Sequence, residues 1–108
     1  MSETIEMSVD EMTAAAGEAA AMLRLMSNPA RLLLLCHLVE GERSVGELME
    51  RTGREQAYVS QQLARLREEG LVEGVRSGRQ VRYRLADERV APVLEALYCA
   101  FCRGSAAT

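Results

Sequence analysis

Between Ser44 and Gly70 the chain reads SVGELMERTGREQAYVSQQLARLREEG, and few backbones can accommodate that stretch. SVGE at 44–47 is a capping box. The Ser44 hydroxyl accepts from the third helical amide, while the Glu47 carboxylate reaches back to the capping residue. A short helix to Arg51 follows, and Thr52-Gly53 breaks it. From Gln56 to Glu68 the apolar positions Val59, Leu63 and Leu66 recur at i, i+4 and i+7, one buried stripe. Gly70 ends this second helix. A capped short helix, a tight glycine-containing turn and an amphipathic helix make a helix-turn-helix. With the stripe facing inward, the opposite face presents Gln56, Ala57, Ser60, Gln61 and Ala64. That set is small and amide-rich, suited to hydrogen-bonding base edges in a major groove.

The flanks complete the pattern. LVEGVR and QVRYRL surround SGR, and Val81, Tyr83 and Leu85 alternate with Arg82 and Arg84. This predicts a two-stranded hairpin with one buried and one basic face, a wing behind the helix-turn-helix. Upstream, SVDEMTAAAGEAAAMLRLM at 8–26 predicts a helix behind a disordered leader. SNPAR at 27–31 is a stop and restart, with Asn28 as N-cap and Pro29 at the first helical position. RLLLLCHLVEG then reads as a buried helix closed by Gly41. Downstream, Asp87 is expected to cap a last helix running to about Cys102, with Pro92 either straining its early part or marking its start. The fold expected is mainly α with a β-hairpin wing, a winged helix-turn-helix of five helices. Residues 1–18 are read as a partly disordered leader and the start of the first helix. Residues 19–108 form the domain.

A net charge of −3 taken alone argues against nucleic acid, but its distribution argues the other way. Residues 1–22 carry five acids and no base, whereas residues 51–84 carry eight Arg against four Glu, a net +4. All 13 basic residues are Arg, whose planar fork donates two hydrogen bonds at once to phosphates and base edges. Arg65 and Arg67 flank the reading face. Arg79 sits at the wing tip, with Arg76, Arg82 and Arg84 on its strands, placed for the adjacent backbone or minor groove. Each feature alone is compatible with an ordinary solvated surface; together they are those of a double-stranded DNA binder.

A domain of 108 residues can bury only a modest core, yet 48% of the residues are hydrophobic and many lie near the two ends. Surplus apolar surface predicts a partner chain, most simply a twofold dimer. No apolar run approaches membrane-spanning length, and the first 22 residues offer no positive region of a secretory signal. Three cysteines do not make an extracellular disulfide framework. A cytoplasmic protein is expected, with no membrane partner and thiols that rest reduced.

Those cysteines are Cys36, Cys99 and Cys102. Cys99 and Cys102 lie i, i+3 on a helical run and so share a face. A reactive C-x-x-C wants its thiolate at a helix N-terminus, and here the helix C-terminus opposes the charge. A thiol oxidoreductase would rest on this motif alone, without any βαβ pattern to accompany it. An enzyme is therefore not expected. Three thiolates could also serve a soft metalloid such as arsenite. Cys36 by itself reads most simply as a small core residue.

LMSNPARLLLLCHL, SVGELMERTG and VSQQLARLREEGLVEGVRSGRQVRYRL together resemble the ArsR/SmtB family of winged-helix repressors, over about residues 20–103. The resemblance implies a homodimer that binds operator DNA at rest and lets go when an inducer arrives. Glu55 departs from it, standing where the family usually has Ser or a similar N-cap. Neither familiar metal site of the family is present: Ser44 and Gly46 occupy the thiolate positions of the third helix, and no His lies in residues 86–108. No metal or other cofactor is therefore expected. Cys36 and Cys102 instead resemble the sensing thiols of the sulfide- and persulfide-responsive branch (the BigR and SqrR type). That likeness implies a metal-independent repressor, bound when reduced and released when persulfide links Cys36 to Cys102. Cys99 is then a packing or interface residue.

Overall fold

The computed structural model describes residues 8–103. The leader expected at residues 1–7 lies outside them, and the first helix is already under way at residue 9. Helix α1 (Val9–Met26) opens with a capping box in which the Ser8 hydroxyl accepts from the Glu11 amide and Glu11 accepts from the Ser8 amide. Only its last turns are buried, through Met22, Leu25 and Met26. The Asn28 side chain accepts from the Ala30 and Arg31 amides and restarts the chain as α2 (Pro29–Val39), with Pro29 where its missing N–H costs nothing.

Helix α2 is not buried all round. Ala30, Leu34, Leu35 and Leu38 enter the core, while Leu33 and Cys36 face outward. The expectation of Cys36 as a core thiol is thereby corrected for the protomer. After a two-residue strand β1 (Arg43–Ser44), the Ser44–Glu47 capping box starts α3 (Val45–Thr52) with bonds of 2.9 and 3.1 Å. Gly53, at φ +71°, accepts the left-handed conformation that turns the chain toward α4 (Gln56–Glu68). Val59, Leu63 and Leu66 are 1, 0 and 0% exposed, the stripe the periodicity predicts.

The wing is β2 (Val72–Ser77) and β3 (Gln80–Leu85), joined by Gly78-Arg79. Gly78 has φ +65° and no non-glycine residue has positive φ among the described residues. Glycine first in a two-residue loop is the type II′ arrangement, whose twist matches the strands. Strand β1 adds to the other edge of β3, giving a three-stranded antiparallel sheet in the order β1-β3-β2 where two strands were expected. Cross-strand pairing sorts the side chains. Arg82 and Arg84 stand opposite Val75 and Glu73, whereas Arg76 stands opposite Val81. The hairpin's arginines are thus split between its two faces, and the apolar face is only half covered, with Val81 38% exposed.

Helix α5 (Val90–Tyr98) begins without a side-chain cap, and the Asp87 carboxylate instead accepts from the Arg89 amide and guanidinium. Asp87 is thus not its cap. Pro92 is the third helical residue, in the first turn whose amides have no intrahelical acceptor, so it neither strains nor starts the helix. The chain then widens into a π-helical turn, Cys99–Arg103. No helix among the described residues is long and apolar enough to cross a membrane.

Capping chemistry here is directly measurable. Ser44 is buried and its box fixes α3, so Ser44→Ala should cost about 1–2 kcal/mol. Glu55 holds the extended N-cap backbone of α4 but makes no side-chain cap bond. Glu55→Ser should therefore gain about 0.5–1 kcal/mol. Urea midpoints at unchanged m-value read both, and equal midpoints for all three proteins would show that the caps contribute nothing.

Candidate DNA-reading face and thiol groove

Because its inner stripe is locked in the core, α4 turns a fixed set of residues outward. Gln56, Ala57, Ser60 and Gln61 are exposed, Ala64 is half-buried, and Arg65 and Arg67 are exposed at the C-terminal end. No ion pair engages Arg65, Arg67, Arg76 or Arg79 among the described residues. Each guanidinium keeps its fork available. Arg79 is exposed in the wing loop and Arg76 on β2.

Arg82 is differently employed. Its guanidinium donates to the Glu42 carbonyl at 3.0 Å and to Glu47 Oε1 at 3.1 Å, the carboxylate oxygen that also accepts from the Ser44 amide. Arg82 therefore ties the wing to the cap of α3 and is half-buried there. Arg84 is likewise held, by Glu73 at 2.6 Å and by Glu42 at 3.7 Å. Sequence reasoning missed these roles because the partners lie far away in the chain. The Glu47 carboxyl is held below the usual carboxylate range, first by the Ser44 amide and then by Arg82.

Two further arginines escaped the sequence reading. Arg54, in the turn before α4, lies over the Tyr58 ring at 4.9 Å, a cation–π pair that steadies it at the helix N-terminus. An Arg followed four residues later by Tyr is the signal that could have found it. Arg31, on α2, donates to the Leu25 carbonyl and to Gln62 of α4. The empty cap of Glu55 leaves a carboxylate exposed at the same end of α4.

Helices α2 and α5 enclose an open groove of roughly 540 Å³. Cys36, His37, Leu33, Leu94, Tyr98 and Cys99 are among its lining residues. All three cysteines are free and exposed. Burial, and then the proximity of Cys102, push the Cys36 thiol above its ordinary value. The π turn matters for the C-x-x-C. Its i→i+5 winding departs from the α geometry under which Cys99 and Cys102 would share one face. Cys99 lines the groove beside Cys36, and Cys102 lies within electrostatic reach of the same thiol. Around His37, burial and then Arg51 lower the imidazole pKa, which favours the neutral form. No three His, Cys, Asp or Glu side chains gather as a metal-binding set among the described residues.

Residues 28–74 match the bacterial regulatory protein, arsR family, model. The biofilm growth-associated repressor of Xylella fastidiosa is 47% identical over 96 residues, 89% of this chain and 84% of that protein. The crystal structure of the transcriptional repressor BigR from Xylella fastidiosa superposes with a TM-score of 0.83 over 89% of this chain and 98% of that one. Reduced HlyU from Vibrio cholerae is 37% identical, with a TM-score of 0.80 over 87% of this chain and 99% of that one. A homodimeric winged helix-turn-helix domain of a possible ArsR-family regulator from Mycobacterium bovis is 30% identical, with a TM-score of 0.71 over 89% of each chain. With this degree of identity over nearly its whole length, and with the wing and reading helix in place, the chain belongs to the arsR family of winged helix-turn-helix regulatory proteins.

Proposed function

We propose that the chain is a homodimeric transcriptional repressor, independent of metal, that holds operator DNA while its thiols are reduced and lets go when persulfide links Cys36 to Cys102. The observation that carries this reading is the relation of those two thiols. They stand far apart in the chain, on α2 and on the π turn, yet both are free and exposed, and after burial Cys102 is the second influence raising the Cys36 thiol pKa. Repression is favoured over activation by the 47% identity to the Xylella fastidiosa repressor, against 36% to the Vibrio cholerae protein named a transcriptional activator. Metal sensing fits the donor chemistry poorly, since Ser44 and Gly46 stand where α3 would need thiolates and the three cysteines form no common donor set among the described residues.

The dimer reading rests on unsatisfied apolar surface. Val9, Met12 and Leu23 on α1 and Tyr98 and Phe101 at the far end are each at least half exposed. The radius of gyration is 15.9 Å, where a closed globule of this length would have about 13 Å. Helix α1 is exposed over residues 9–21, as it would be to meet a second copy.

The switch is balanced as chemistry. Two thiols and one persulfide give a disulfide, one thiol and one hydrogen sulfide, and each further persulfide inserts one sulfur and leaves another thiol. A direct disulfide requires Cα atoms within about 7 Å, and added sulfur lengthens the reach. Such a link ties α2, packed behind the reading unit, to the end of α5. It would alter the spacing of the two reading helices, which the operator half-sites fix. A 100-fold loss of affinity needs only about 2.7 kcal/mol of coupling.

On DNA, Arg79→Ala should weaken every duplex alike and flatten the salt slope by about one unit, and Gln61→Ala should change sequence preference. Arg82→Ala should instead lower the urea midpoint and move the salt slope less than Arg79→Ala does. Equal slopes for the two variants would return Arg82 to the phosphate contacts.

For the thiols, reduced protein should bind its operator in the presence of a chelator. Cys36→Ser and Cys102→Ser should each give a repressor that persulfide cannot release, while Cys99→Ser should still respond. A dominant Cys99–Cys102 link on peptide mapping, formed together with loss of DNA binding, would replace this switch with the C-x-x-C.

Alkylation supplies the pH test. A raised thiol pKa means less thiolate at neutral pH, so the rate at Cys36 should keep rising with pH beyond the ordinary thiol range. Cys102→Ser should lower that midpoint only part of the way, because burial, the larger cause, remains. An unchanged midpoint would separate the two thiols.

A further inference from the structure

We infer that Arg31 and Gln62 form a positioning pair that transmits the setting of helix α1 directly to the reading helix α4. Arg31 sits in the first turn of α2 and is half-buried. Its Nε donates to the Leu25 carbonyl at 2.6 Å, and its Nη1 donates to Gln62 Oε1 at 3.2 Å. No carboxylate pairs with it among the described residues. Both acceptors are neutral, and that is informative about what holds the cation.

Leu25 belongs to the last turn of α1, whose carbonyls have no intrahelical donor and carry the negative end of the helix dipole. The guanidinium is therefore bound to α1 as a C-terminal cap. Its planar fork then points a second N–H at α4, and the rigidity of that fork fixes one bond relative to the other. Gln62 is next to Gln61 of the reading face and next to Leu63 of the core stripe. A shift or rotation of α1 against α4 breaks one of the two bonds. α1 is the long helix left largely exposed along Val9–Ala21, the segment assigned above to the dimer. The pair thus links the dimer frame to the reading helix without passing through the core of α2.

This rests on the DNA-binding dimer reading, and the test separates the two. The probe is an inverted-repeat duplex selected by the reduced wild-type protein from random sequence, with versions whose half-sites are moved one base pair closer or farther. Wild-type protein should reject both altered spacings strongly. Gln62→Met, which leaves the α1 cap intact, should lose about tenfold on the selected duplex and discriminate less between spacings. Arg31→Lys should do the same, because a single ammonium cannot hold the two acceptors in a fixed plane. The double variant should lose no more than either single one. The salt slope and the dimer dissociation constant should stay at wild-type values. A slope reduced by about one unit in Arg31→Lys or Arg31→Met would make Arg31 a phosphate contact and overturn the inference, as would additive losses, unchanged affinity of Gln62→Met or unchanged spacing discrimination. Failure of the wild-type protein to select any duplex would sink the DNA-binding reading itself, and this inference with it.

Discussion

Everything the molecule presents to a partner depends on the inner stripe of α4. Val59, Leu63 and Leu66 are at most 1% exposed, and Leu34, Leu35, Leu48 and Val72 close around the same core. Each such side chain contributes about 1.5–3 kcal/mol by leaving water. α4 needs that anchorage, because it has no side-chain cap at Glu55 and its outer face is polar. The C-terminal elements are built differently. α5 sends only Val90 and Leu94 fully into the core, and the π turn carries exposed side chains at Cys99 and Cys102. Cys36 is therefore carried on a helix of the core, and Cys102 on the exposed turn that follows α5.

Charge is sorted along the same division. Glu40 engages Arg43 and Arg51, Glu42 and Glu47 engage Arg82, Glu73 engages Arg84, and Asp87 and Glu18 engage Arg89. Exposed pairs of this kind add little stability individually. Their consequence is orientation. These six acids brace strands, turns and helix caps, and Arg65, Arg67, Arg76 and Arg79 are left without a carboxylate partner among the described residues. The acidic total and a DNA-facing basic surface are therefore compatible.

The legible part of the fold was the part with a period. The 44–70 segment carries cap, glycine and stripe signals that agree with one another, and its helices fall where those signals put them. The hairpin was legible for the same reason, down to glycine in its loop. In contrast, RLLLLCHL is apolar at nearly every position, so neither periodicity nor residue type says that Cys36 faces out. The π turn has no compositional signature, and the reading of Cys99 and Cys102 on one face assumed α geometry. Arg82 and Arg31 look like any surface arginine until their partners at Glu47 and Gln62 are brought up by the fold. Local signals specify elements; long-range polar partners appear only when those elements meet.

These differences bear on how a chemical event at the cysteines could govern binding at α4. A cross-link between Cys36 and Cys102 would leave the α4 stripe buried, so the reading helix would stay folded with the same side chains outward. What it could change is where each reading helix stands relative to its copy. In a twofold dimer a small displacement of α2 against α5 acts on both halves at once, and the operator tolerates little change in half-site separation. The Arg31–Gln62 pair sharpens that demand, since it makes the position of α4 answer to α1 through two hydrogen bonds and not through deformable apolar contacts alone. Interfaces with discrete hydrogen-bonded arrangements settle in one state or another, which is what turns a modest free energy of linkage into release.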